Sequence, residues 1–344
     1  MARFGLSALR SLEGLVRSHF VEDDARALLA GIAAHAMVPL DALATSAFAL
    51  VLAMAGHAVG WPVARGGSQS IADALLAHYR SLGGELVLSS PISHFAQLPT
   101  ARAYLFDLSP RQLSTIAEDQ LPSLYKRRLA RFRYGPGVCK VDWLMRGPVP
   151  WKDPRCSRAV TIHLSSGLDQ VSAAEQAVNA GRLPARPFVL LGQPSLVDES
   201  RAPAGMHTVW AYCHVPHGSE VDATASMERE VERYAPGFQD LVVARSTRTA
   251  AELEQHSPVY VGGDISGGVS DLRQLFFRPV LRVDPYSTPN PRLFLCSSST
   301  PPGGGVHGMC GYWAACSALA SVFGRRDRAQ SATSHSTKAM NNHV

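Results

Sequence analysis

The stretch "SSSTPPGGGVHGMCGYWAA", residues 297–315, decides how this chain is read. Gly303, Gly305 and Gly308 spell G-x-G-x-x-G, the spelling of a dinucleotide-binding turn. Part of the setting is right. "RLFLC" (Arg292–Cys296) reads as a short buried strand, and "HGMCGYWAACSALASVF" as the helix that follows. The fingerprint, however, needs a βαβ unit of roughly thirty residues with an acidic residue about twenty positions on. Here one helix leads into "GRRDRAQSATSHSTKAMNNHV", a polar, basic, turn-rich tail that contains Asp327. As a Rossmann opening the match fails. The stretch has another physical logic. Pro301, Pro302 and three glycines carry the backbone past a bulky group with few side chains in the way. The helix start then aims unpaired N–H groups and the positive end of its dipole at that group. An anion or a polarisable ring fits such a place.

Composition narrows the field. The length of 344 residues predicts about two domains. With 46% hydrophobic and 18% charged residues, the chain has enough apolar material for sizeable cores. The net charge of +5 is modest, and the lysines and arginines read as scattered, which argues against nucleic acid as a partner. Six cysteines without a CxxC pair lie in apolar runs; this favours packed, reduced thiols in a cytosol-like compartment. Arg3, Arg10 and Arg17 are spaced seven apart, on one face of a presumed helix. Two readings stay open there, an ordinary half-buried helix and a transit or membrane-surface segment. "ALATSAFALVLAMAG" (Ala42–Gly56) is too short to cross a bilayer and is expected to be a buried helix.

Residues 1–59 read as helical, interrupted at Pro39. Ser70 and Asp73 suggest a capping box at the start of the next helix, and Gly83 a left-handed cap at its end. "ELVLS" (85–89) then reads as a strand, as does 102–107, before a helix opening at Pro110. Further along, "GVCKVDWLM", "AVTIHLSS", "PFVLLGQ" and "MHTVWAYCHV" are strand candidates with helices between them, one of them capped by Thr249 and Glu252. Two Gly-Gly pairs bracket Asp264, either to admit a ligand or as a tight connecting loop.

Few residues carry recognisable chemistry. Cys213, His214 and His217 in "CHVPH" suggest a metal, but strand neighbours point to opposite faces, so no metal is expected. No catalytic triad or nucleophile elbow is legible, and the catalytic residues stay unknown. His307 faces either a ligand or water.

"LFLCSSSTPPGGGVHGMCGYWAA" resembles the C-terminal flavin segment of the phytoene desaturase-like FAD oxidoreductases. "HAVGWPVARGGSQSIADAL", "RFRYGPGVCKVDW", "SRAPAGMHTVWAYCHVP" and "YVGGDISGG" fit the same family, so the resemblance spans about residues 3–323. It implies an α/β fold, with an incomplete Rossmann-like FAD domain and a mixed-sheet α+β substrate domain. Residues 1–59 and 116–284 would form the substrate domain, 60–115 and 285–324 the flavin domain, and 325–344 a disordered tail. The strands at 102–107 and 292–296 should then be neighbours. Cys296, Ser297, Ser298, Gly305, Val306, His307, Gly308 and Met309 would face the flavin ring, with N–H groups near Gly308 and Met309 meeting its O2. The implied reaction is hydride transfer from a hydrophobic small molecule to FAD. A fold that holds no cofactor is the alternative. Family members open with a strand–GxGxxG–helix that cradles the pyrophosphate, and Met1 aligns downstream of it. The expectation is therefore weak or absent FAD binding by this chain, together with self-association. A cytoplasmic location with peripheral membrane contact completes the expectation.

Overall fold

The computed structural model describes residues 2–324; the expected disordered tail and Asp327 lie outside the described residues. Seven strands occur there: β1 (Tyr104–Phe106), β2 (Gly137–Met145), β3 (Thr161–Leu164), β4 (Val189–Gly192), β5 (His207–Val215), β6 (Val242–Arg248) and β7 (Leu293–Leu295). The chain divides into two compact units. Among the described residues the first comprises 2–90, 134–265 and 269–272, the second 91–133, 266–268 and 273–324.

The first unit is built on a five-stranded sheet of order β3-β4-β5-β2-β6, in which every pair is antiparallel. Alternation in the sequence dictates its two faces. Val209, Ala211, Cys213 and Val215 of β5 join Val141, Trp143 and Met145 of β2 in one core. The helix Thr224–Tyr234 closes that core with Met227 and Val231. The intervening Trp210 and Tyr212 face a second core with Phe188, Leu190 and the helices Leu12–His19, Asp23–Ala33 and Leu168–Asn179. Trp143 stands edge-on to Phe238 and donates to the buried Glu228, 2.8 Å away. A large apolar side chain buried this completely contributes about 1.5–3 kcal/mol.

Several sequence expectations change here. The helices Ala2–Ala8 and Leu12–His19 are separate, so no continuous helix carries Arg3, Arg10 and Arg17 on one face. Leu12, Leu15 and Val16 are buried in the second of them. The expected buried helix at 42–56 runs over Thr45–Val59, and only Thr45, Ser46 and Ala49 are buried. Val51 and Met54 are each 50% exposed, and of the later turns only Leu52, Ala53 and Gly56 are half-buried. The helix Gln69–Ser81 forms, but without the expected capping box. The Ser70 hydroxyl donates to the Arg65 carbonyl, and Asp73 accepts from Gln69. Gly83 does take the left-handed conformation, at φ +84°. "ELVLS" pairs with no other strand, and Val87 and Leu88 are more than 70% exposed. A strand needs a neighbour for its N–H and C=O groups, and the described residues offer none there. β6 was missed by the sequence reading because "VVARSTR" is polar and mostly exposed.

The second unit holds β1 and β7, which pair in parallel with Tyr104 opposite Leu293 and Phe106 opposite Leu295. The expected adjacency is therefore present, with both strands shorter than expected. Phe106, Leu113, Leu121, Tyr125, Leu129, Leu293 and Leu295 make its core. The helix Pro110–Ile116 starts at Ser109, whose side chain forms a capping box with Gln112. The helix Met309–Phe323 buries Cys310, Ala314 and Ala318, one stripe at four-residue spacing.

Candidate functional site

The site grows out of the end of β7 in the second unit. Phe106 of β1 accepts from the Cys296 N–H at 2.9 Å and extends the parallel ladder by one rung. Beyond it the chain folds on itself. The Thr300 N–H and hydroxyl both donate to the Ser297 carbonyl, at 2.9 and 2.7 Å. Ser297, Ser299 and Thr300 are buried, so this turn is structural, while Ser298 is only half-buried. Cys310 at the helix start points its thiol at the carbonyls of Thr300 and Gly303, 3.5 Å from each. The loop is thereby pinned at both ends. Its crest is open: Gly304, Gly305, Val306, His307 and Gly308 are all exposed.

Gly308 is the residue on which the helix turns. Its φ of +62° is left-handed, and a Cβ there would meet nothing within 4 Å. Space therefore remains in front of the helix start. Gly308→Ala is expected to cost about 1 kcal/mol, the backbone term alone, measured as a small drop in melting temperature. The His307 ring accepts the Met309 N–H at Nδ1, 3.1 Å away. The exposed histidine thus occupies one of the two backbone donors expected to meet a ligand.

Cys296 sits at the start of the turn, half-buried. Burial pushes its thiol up to about 12, with Asp107 and Cys310 nearby adding to the shift, so it stays protonated. The same burial raises the Asp107 carboxyl above its ordinary range.

Residues that sequence reasoning did not single out hold the loop from below. Arg278 is buried; its guanidinium donates to the Ser298 carbonyl at 3.0 Å and to the Gln274 carbonyl at 3.0 Å. A Cβ at Gly303 would stand 2.9 Å from Arg278 Nη1, so that glycine admits the arginine. The Tyr286 hydroxyl donates to the Pro301 carbonyl at 3.0 Å. A buried arginine leaves no mark in "FFRPV", whereas the glycine pairs did. Gly267 packs against Ser298 and Gly268 against Phe132, while Gly262 and Gly263 pack against His217 and Ala250. At all four positions the close approach is to the protein's own atoms. Asp264 between the pairs is buried and accepts from the Gly135 N–H at 2.7 Å.

"CHVPH" divides as strand geometry requires. Cys213 lies in the core of one sheet face, and His214 Nδ1 is 2.7 Å from Glu175 Oε1. The His217 ring contacts the Gly135 carbonyl at 2.9 Å. Among the described residues no group of three or more His, Cys, Asp or Glu is placed to hold a metal ion.

No family model matches the sequence. The mouse pyridine nucleotide-disulfide oxidoreductase domain-containing protein 2 is 27% identical over 291 residues, covering 73% of this chain and 50% of the mouse protein. The rat protein of the same name is 26% identical over the same span. This chain is their distant homologue. It spans about half the length of these curated relatives. Among solved structures, an oxidoreductase from Methanosarcina mazei superposes with a TM-score of 0.60 at 12% identity, over 92% of this chain and 68% of the other. A putrescine oxidase bound to putrescine gives 0.55 at 13% identity, over 94% and 69%. The α/β architecture, with one parallel and one antiparallel sheet, is the fold these oxidoreductases use. Among the described residues no helix is long and apolar enough to cross a membrane.

Proposed function

We propose that the chain is part of an FAD-dependent oxidoreductase of the phytoene desaturase-like group, and that its second unit presents the ring end of the flavin site. The carrying observation is the open glycine crest 304–308 between the end of β7 and the helix Met309–Phe323. Its glycine backbone leaves room for a planar ring, and Gly308 opens toward empty space. Ser298 and the residues Gly305 to Met309 would hold the ring, with the helix start favouring negative charge on it. When bound, FAD would accept a hydride from an apolar substrate. Half-buried Cys296, its thiol raised to about 12, would line the site as a neutral side chain.

A second reading is favoured by a specific observation. β1 and β7 make a parallel pair of only three residues each, and parallel sheets occur almost only with both faces covered. Leu105 of β1 is exposed, as are Val87 and Leu88 in the first unit. Such a fold would hold the cofactor poorly or act without one. Titration of the purified chain with FAD, followed by flavin fluorescence, separates the readings. Saturable but weak quenching, with a Kd in the range of roughly 10–1000 μM, is the expected result. A folded protein that quenches no flavin at any concentration would favour the cofactor-free reading.

A further inference from the structure

Along "YKRRLARFR", residues 125–133, five of nine side chains are basic, so the arginines are less scattered than the overall composition suggests. The second unit folds this run against the helix Leu272–Phe277 and leaves a cleft of about 320 Å³ between them. Arg128, Arg131, Arg133 and Arg273 line it, and no aspartate or glutamate does. Among the described residues, no carboxylate lies within ion-pair distance of Arg128, Arg131 or Arg273. The rest of the lining is largely apolar: Phe132, Phe277, Pro279, Val280 and Leu281. Gln274 ties the walls together. Its buried side chain accepts from the Arg133 N–H and donates to the Arg133 carbonyl, each at 2.9 Å.

We infer that this cleft binds an amphiphilic oxyanion, a phosphate head carried on an apolar body. Arg128, Arg131 and Arg273 bring three positive charges to the lining of one space, where their mutual repulsion becomes attraction once an anion sits between them. Guanidinium forks match phosphate oxygens two at a time, which a lysine cannot do. The apolar lining has no use for a bare inorganic ion, but it offers contact to a short alkyl or aromatic body. The volume suits that size, holding roughly ten water-sized groups and lying at the lower end of small-ligand sites. Phe276 and Leu281 beside the cleft are themselves exposed, so the apolar body has a way in. None of residues 296–309 lines this cleft, and the inference stands apart from the flavin reading.

The test titrates the full chain with octyl phosphate below its micelle concentration, with inorganic phosphate, and with octan-1-ol, using calorimetry. Octyl phosphate should saturate at one per chain and bind at least about tenfold tighter than inorganic phosphate. Octan-1-ol should not saturate. The triple variant Arg128→Ala, Arg131→Ala, Arg273→Ala should weaken octyl phosphate at least about tenfold, the scale of losing one charge-assisted hydrogen bond. Because the three side chains are exposed, the variant should melt like the parent; should it not fold, Arg128→Ala alone carries the comparison. Vesicles of phosphatidylglycerol and phosphatidylcholine distinguish the source. Binding of both the soluble amphiphile and the vesicles assigns a lipid headgroup; binding of the soluble amphiphile alone assigns a dispersed ligand. Vesicle binding without octyl phosphate binding, equal affinity for inorganic phosphate, or no loss in the arginine variants overturns the inference.

Discussion

Acidification from about pH 7 to about pH 4.5 is expected to strip several kcal/mol of stability from the first unit. The cause is a pair of imidazoles in its helix–sheet layer. His35 Nε2 lies 3.1 Å from His163 Nε2, edge to face. Burial lowers His35 to about 4, with His214 adding to the shift, and lowers His163 to about 3, with His35 adding. Among the described residues no carboxylate pairs with either ring, and Glu175 nearby is engaged with His214; Phe188 closes the other side. In the unfolded chain both rings titrate near 6.5. The unfolded state therefore binds protons first as pH falls, and stability drops from about 6.5 downward until the folded rings also titrate. At 1.36 kcal/mol per pH unit, each ring costs about 3 kcal/mol by pH 4.5. Above pH 6.5 the effect is absent. Thermal melts across this range should show a steep acid limb in the parent and roughly half that slope in His163→Gln. An unchanged limb in the variant would show that other groups control acid unfolding.

Gly267→Ala is expected to cost about 2–4 kcal/mol, combining left-handed strain with overpacking. Its φ is +69°, and a Cβ there would overlap Ser298 Oγ while standing 2.7 Å from Ser298 Cβ and 3.0 Å from its carbonyl carbon. The backbone at Ser298 cannot retreat freely, because its carbonyl is held by Arg278. The substitution should therefore disturb the loop at the end of β7 as well as lower the melting temperature. Gly308→Ala, with open space around it, is the internal comparison. A Gly267 variant no less stable than the Gly308 variant would mean that Ser298 moves aside at little cost.

Much of the first unit was legible because its strands alternate. β2 and β5 carry buried apolar residues at every second position, and β4 is a short apolar run buried throughout. The box at Thr249 and Glu252 formed as read. Failures cluster where local pattern was not matched by a partner. "ELVLS" has the composition of a strand and no neighbour, and the apolar helix Thr45–Val59 buries no residue beyond Ala49. β6 hid behind polar residues, since its place in the sheet rests on backbone pairing with β2 rather than on buried side chains. In the candidate site, the strand–loop–helix could be read from glycines, prolines and helix periodicity. Arg278, Tyr286 and the His307 cap could not, because each acts through a contact set by distant backbone.

The parallel pairing of β1 with β7 also sets a timetable. Tyr104 waits for Leu293, 189 positions later by subtraction of the paired residue numbers. At ribosomal speeds of about 5–20 residues per second, β1 leaves the ribosome roughly 10–40 s before its partner exists. All strands of the antiparallel sheet are made within that interval, so the first unit can be complete while Phe106 and Leu113 still lack β7. During that wait the nascent second unit exposes a half-built apolar core, and a chaperone that shields it then would raise the yield of folded chain more than one added after synthesis ends.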